Sequence, residues 1–132
     1  NGGNSCAMIA GLGTDIVEIA RIARMLEKYP DAFREHTCTP AEIAEGKRRR
    51  DDVTFYAGRW AAKEAAAKAL GCGIGKHCSL TDLEVVNGEN GAPELRLSGA
   101  AAAFAASRGG GRFLVSISHE TGYAVAVVIF EQ

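Results

Sequence analysis

No apolar run in this chain reaches the roughly 20 residues that a membrane-spanning helix needs. Nor does charge of one sign dominate: 15 lysines and arginines stand against 16 aspartates and glutamates, a formal net charge of -1. A nucleic-acid binder is expected to carry a broad positive field, so that class is disfavoured, although local basic clusters remain available to smaller anions. There is no Cys-x-x-Cys pair and no histidine pattern suited to zinc. The four cysteines, Cys6, Cys38, Cys72 and Cys78, are scattered and read as reduced thiols of a cytoplasmic protein. No internal repeat is visible. Gly71, Gly73 and Gly75 follow a helical segment instead of preceding one, which excludes a Rossmann or Walker loop.

What is present is the composition of an ordinary globular protein, with 47% apolar and 23% charged residues over 132 positions, enough for one core. The polar, glycine-rich start, residues 1–7, reads as a flexible arm or expression scar with Met8 as the expected natural start, and residues 8–132 as one domain.

Periodicity predicts a strand over Met8 to Leu12 and then a helix on which Ile16, Ile19, Ala20, Ala23 and Leu26 share a face, ended by Pro30. Thr39, Pro40 and Glu42 mark the start of a short helix that closes at the basic run Lys47 to Arg50. The alanine-rich segment Phe55 to Leu70 predicts a long helix stopped by Gly71. Gly58, Ala62, Ala65, Ala66 and Ala69 form a stripe on it that is poor in side chains and lets another element come close. Leu83 to Val86 and Glu94 to Leu97 read as a hairpin through Asn90, Gly91 and Pro93. A helix over Ser98 to Ser107 and the strands Phe113 to Ser118 and Tyr123 to Phe130 complete an α+β chain with an antiparallel sheet packed with helices.

Several residues admit both a plain and a chemical role. Asp15, at a strand-to-helix junction, serves as an N-cap with Glu18 completing a capping box; Glu64 pairs with Lys68 one turn along, an ordinary surface ion pair. Taken together, the two carboxylates also suit a hard cation such as Mg²⁺, whose remaining positions are filled by phosphate oxygens and water, while Lys68 reaches a phosphate. Gly71 and Gly73 cap a helix end or let a phosphate or adenine approach. His119 ends a strand or contacts phosphate, the basic run is a solvated helix end or binds a polyanion, and Trp60 is core or a partner anchor.

Three strings coincide in order: GLGTDIVEIARI from Gly11, AGRWAAKEAAAKALGCGIG from Ala57, and VSISH ending at His119. Together they resemble the AcpS-type 4'-phosphopantetheinyl transferases from about Met8 to the C-terminus. The resemblance implies that fold, and the transfer of 4'-phosphopantetheine from coenzyme A to a serine of acyl carrier protein, for fatty acid biosynthesis. It implies Asp15 and Glu64 as magnesium ligands and a catalytic Lys68. Gly71, Gly73, Asn90, Pro93, Ser118 and His119 then lie near coenzyme A, and Arg21, Arg24, Met25, Lys28 and Trp60 on the carrier-protein surface. A homotrimer with sites between subunits is implied too. On the residues alone, another magnesium phosphotransferase or pyrophosphatase, or a non-catalytic nucleotide- or carrier-binding module, stays open.

Overall fold

The structure is a computed structural model that describes residues 6–132. The predicted arm, 1–7, therefore lies outside the described residues except for Cys6 and Ala7, which are exposed. In chain order the elements are β1 (Ile9–Glu18), α1 (Ile19–Lys28), α2 (Pro30–Thr37), α3 (Pro40–Lys47), α4 (Asp52–Leu70), β2 (Leu83–Asn87), β3 (Pro93–Leu97), α5 (Gly99–Ser107), β4 (Arg112–His119) and β5 (Tyr123–Glu131). All strand pairing is antiparallel, in a three-stranded sheet of order β1-β5-β4 and the predicted β2–β3 hairpin. The α+β expectation holds.

Local chemistry explains most boundaries. At the start of α3, the Thr39 hydroxyl accepts the Glu42 N–H while the Glu42 carboxylate accepts the Thr39 N–H, a capping box with Pro40 in the first turn. α4 begins three residues before the predicted Phe55, because the Asp51 carboxylate accepts the Thr54 N–H and caps it. Gly71 ends α4 in the left-handed region, at φ 92°.

Two expectations fail. β1 runs on to Glu18, so Ile16 is a strand residue and not the first of a helical face, and α1 starts only at Ile19. Pairing with β5 from Gly11 to Glu18 outweighs the local helical spacing. Pro30 ends α1 as predicted but also opens a helix the periodicity did not reveal, α2, in which proline occupies the first turn. α2 is held by Phe33, which stacks on Trp60 at 6.0 Å and meets Tyr56 edge-on.

Burial alternates along β1, so Gly11, Gly13, Asp15 and Val17 face α4 while Leu12 and Ile16 face outward. With Leu114 and Val127 they leave one face of the three-stranded sheet apolar and exposed; Leu12 and Ile16 are 66% and 65% accessible. On the inner face the predicted stripe meets β1 at backbone distance. A Cβ built on Gly13 lies 1.9 Å from the Ala65 carbonyl oxygen, and one on Gly11 lies 1.8 Å from that of Ala69.

Because these neighbours are backbone atoms of a helix, no side chain can swing aside to admit a methyl group. Gly13→Ala is expected to cost about 3 kcal/mol and to lower the thermal midpoint by about 10 °C. Thermal unfolding followed by circular dichroism checks this, and a midpoint within about 2 °C of wild type means that strand and helix can part freely.

Candidate active site

The close approach of β1 to α4 determines which side chains meet. Asp15, two residues beyond Gly13 on the same strand face, lies beside the last two turns of α4. There the Lys68 ammonium donates to Asp15 Oδ1 at 3.2 Å and to the Thr14 carbonyl at 2.9 Å. The N-cap role for Asp15 is excluded: it is paired with Ala126 inside the sheet, and α1 is entered through Glu18, which makes no capping bond. The Glu64–Lys68 pair is likewise replaced, since Lys68 turns to Asp15 and Glu64 has no ion-pair partner among the described residues.

Glu64 is half-buried, and its carboxyl is pushed above the ordinary carboxylate range, first by burial and then by the like charge of Asp15. Lys68 and Arg21 oppose that shift. Glu64 thus senses the Asp15 carboxylate, with burial as the larger influence. No group of three or more histidine, cysteine, aspartate or glutamate side chains capable of holding a metal occurs among the described residues. The donor set suits a hard cation that takes one or two carboxylates and completes its shell with water and phosphate, and it does not suit zinc.

The other predicted residues fall elsewhere in the chain. His119 lines a cleft of about 370 Å³ with Arg49, Arg50, Thr54 and Arg59, at the N-terminal end of α4. Phe55, in that cleft, and Lys68 are thirteen residues apart on α4, about 20 Å of helical rise. One chain therefore does not bring His119 to Asp15. Part of the basic run is already engaged, because Arg48 and Arg49 both reach Glu45, at 3.0 and 2.8 Å. Ser118 is exposed near the end of β4. Gly71 and Gly73 follow Lys68, and the N–H groups of both reach the Ala67 carbonyl, so they do cap the helix; a Cβ on Gly73 meets nothing, leaving its backbone approachable. Asn90 lines a shallow cleft at the hairpin tip, and Pro93 an apolar groove between β3 and β4.

Arg21, Arg24 and Lys28 are exposed on α1, with Met25 half-buried beside them. The Arg21 guanidinium lies over the Trp60 ring, 5.4 Å from its centroid, which ties the α1 surface to α4 four residues before Glu64. Spacing did not disclose two further groups. Arg59 in the basic cleft is buried with a single long hydrogen bond, to the Val85 carbonyl at 3.5 Å. Lys63, next to Glu64, is fully enclosed against Glu42.

Residues 11–128 match the family model described as the 4'-phosphopantetheinyl transferase superfamily. The holo-[acyl-carrier-protein] synthase of Alteromonas mediterranea is 50% identical over 123 residues, covering 93% of this chain and 97% of that protein. Among solved structures, the holo-[acyl-carrier-protein] synthase of Neisseria meningitidis superposes with a TM-score of 0.89 at 36% identity, over 95% of this chain and all of that one. The Bacillus anthracis holo-(acyl-carrier-protein) synthase, in complex with coenzyme A (3',5'-ADP), superposes with a TM-score of 0.80 at 40% identity, over 95% and 98% of the two chains.

The order of causes at Glu64 is testable by carbon-13 NMR titration of its carboxyl. Asp15→Asn removes the like charge and releases Lys68, so the Glu64 pKa is expected to fall. It should stay above an ordinary glutamate, because burial, the larger cause, remains. An unchanged pKa in Asp15→Asn means that the carboxylates do not sense one another.

Proposed function

The chain belongs to the 4'-phosphopantetheinyl transferase superfamily, and from that premise we propose that it moves 4'-phosphopantetheine from coenzyme A to a serine of apo-acyl carrier protein. 3',5'-ADP is the other product. The observation that carries this reading is the convergence of Asp15, Glu64 and Lys68 from two elements onto one place. The serine hydroxyl gives up its proton to the surrounding water as its oxygen attacks the phosphorus that bears pantetheine; the bond from that phosphorus to the bridging pyrophosphate oxygen breaks, and charge builds on that oxygen as 3',5'-ADP departs. Lys68 is suited to receive that charge: an ammonium has three donors, and Thr14 and Asp15 occupy two of them. The third is available to a phosphate oxygen.

Asp15 and Glu64 are the residues that would hold Mg²⁺. When bound, it supplies charge neutralisation and alignment for the pyrophosphate. Asp15 keeps Lys68 in place through the 3.2 Å contact.

We assign the diphosphonucleoside end of coenzyme A to the cleft formed by Arg49, Arg50, Arg59 and His119, next to Ser118 in sequence, and we assign Asn90 and Pro93, which line other clefts of the same chain, to the nucleotide on the family resemblance. Gly71 and Gly73 leave room for the donor beside Lys68. A site that needs both this cleft and the carboxylates can be completed by a second copy, and the exposed apolar sheet face supports such an assembly, a homotrimer with sites between subunits. The cationic face of α1, with Arg21, Arg24, Met25 and Lys28, and Trp60 beside it, suits the acidic surface of a carrier protein. We place the reaction in fatty acid biosynthesis and in the cytoplasm, where free thiols such as Cys38, Cys72 and Cys78 persist. Residues 8–132 are taken as the catalytic domain.

Incubation with coenzyme A, Mg²⁺ and apo-acyl carrier protein should add one phosphopantetheine to the carrier by mass spectrometry. Asp15→Asn and Glu64→Gln should each lower kcat by about a hundredfold while remaining folded. Hydrolysis of coenzyme A without carrier modification would favour a pyrophosphatase, and binding without product a non-catalytic module. In sedimentation, the wild type is expected at three times the chain mass and Leu12→Glu, which puts charge on the apolar face, as monomer. A monomeric wild type with full activity would overturn the shared site.

A further inference from the structure

α4 is enclosed on nearly every side, yet its buried positions are mostly alanine: Ala57, Ala61, Ala62, Ala65, Ala66 and Ala69 among them. Alanine methyls interdigitate weakly, so the roll of the helix is held by its backbone contact with Gly11 and Gly13 and by the aromatic packing of Tyr56 and Trp60, with few directional polar contacts besides. The roll matters because Glu64 lies on its flank. A carboxylate stands about 6 Å from the helix axis, so a roll of about 10° displaces it by about 1 Å. Misplacement on that scale can cost about a hundredfold in rate.

Next to Glu64, one fully enclosed side chain adds a directional hold. The Lys63 ammonium donates to Glu42 Oε1 at 2.5 Å and to the Thr37 carbonyl at 2.6 Å, with the side chains of Lys63 and Glu42 0% and 1% exposed. Glu42 is fixed in turn, since Oε1 also accepts the Thr39 N–H at 2.9 Å and Oε2 the Val85 N–H at 2.8 Å. The end of α2, the cap of α3 and strand β2 thus all converge on the Glu42–Lys63 pair, whose lysine precedes Glu64. A buried ion pair need not add stability over an apolar pair of the same shape, and its best-attested use is to fix register.

We propose that the Glu42–Lys63 pair is a positioning device for the reaction: it fixes the roll of α4 and so holds the Glu64 carboxylate at its working place beside Asp15. The inference rests on the reading of Asp15 and Glu64 as the magnesium-holding pair. Neither Glu42 nor Lys63 touches substrate in this scheme; both act through Glu64.

The double variant Glu42→Gln/Lys63→Met removes both charges and keeps both shapes. While still unfolding cooperatively, it is expected to lose about ten- to a hundredfold in kcat and about tenfold in Mg²⁺ affinity by calorimetry with coenzyme A present. The KM for the carrier should change far less than kcat, because Arg21, Arg24, Met25 and Lys28 lie on α1 and only Trp60 travels with α4, a split that a general loss of stability does not produce. Glu42→Asp keeps both charges in the core and shortens the tether by one methylene. It should show the same split, and it decides the matter if the double variant does not fold. Normal kcat and Mg²⁺ affinity in the folded variant overturn the proposal. Asp15→Asn measured alongside separates the two ideas: lost Mg²⁺ binding there upholds the metal-pair reading whatever the core variants do, and unchanged binding overturns that reading and this inference with it.

Discussion

Strand β1 lies on helix α4 with no side chain between them at Gly11 and Gly13, and the carbonyls of Ala65 and Ala69 occupy the space where Cβ atoms would be. From this contact the position of the reactive groups follows. A strand face repeats every second residue, so fixing Gly13 against Ala65 delivers Asp15 to the next stretch of α4. A helix face repeats every three to four residues, so Lys68, three positions after Ala65, turns toward the same strand. The sheet then carries the arrangement outward, as β5 pairs along β1 and β4 along β5.

Two lysines of α4, five residues apart, show how surroundings change what one ammonium can do. Lys63 is enclosed with a carboxylate and a carbonyl, where screening is weak and the pairing is not readily exchanged. Lys68 is 51% exposed, so its bond to Asp15 is moderated by water and can be shared with an arriving anion. Glu64 stands between them in sequence, half-buried and without an ion-pair partner of its own among the described residues.

Much of this was legible in the chain, and what was not has physical reasons. The side-chain-poor stripe on α4, its glycine stop, the β2–β3 hairpin and the helix start at Thr39 depend on neighbours within a few positions, and all are found. Asp15 beside Glu64 and Lys68 was anticipated as one of two roles, and the other, a helix cap, fell because β1 extends further than local spacing suggested. That extension is a pairing between opposite ends of the chain, which no window around Asp15 contains. α2 was hidden because Pro30 both stops and starts a helix. Glu42 was visible only as a cap residue; its partner lies 21 positions away. The separation of His119 from Asp15 is likewise a matter of which end of α4 each element reaches.

The backbone contact also divides the molecule by how freely it can change. At Gly11 and Gly13 any enlargement meets the main chain of α4, so substitutions there are closed to gradual divergence. Arg24 and Lys28, on the outer face of α1, are exposed, and their replacement leaves the core packing untouched. On the proposed reading, a lineage or a designer redirecting this scaffold to a different protein substrate would find the accessible route there: the face assigned to the carrier is free to vary, while the strand–helix contact beneath the proposed site is not.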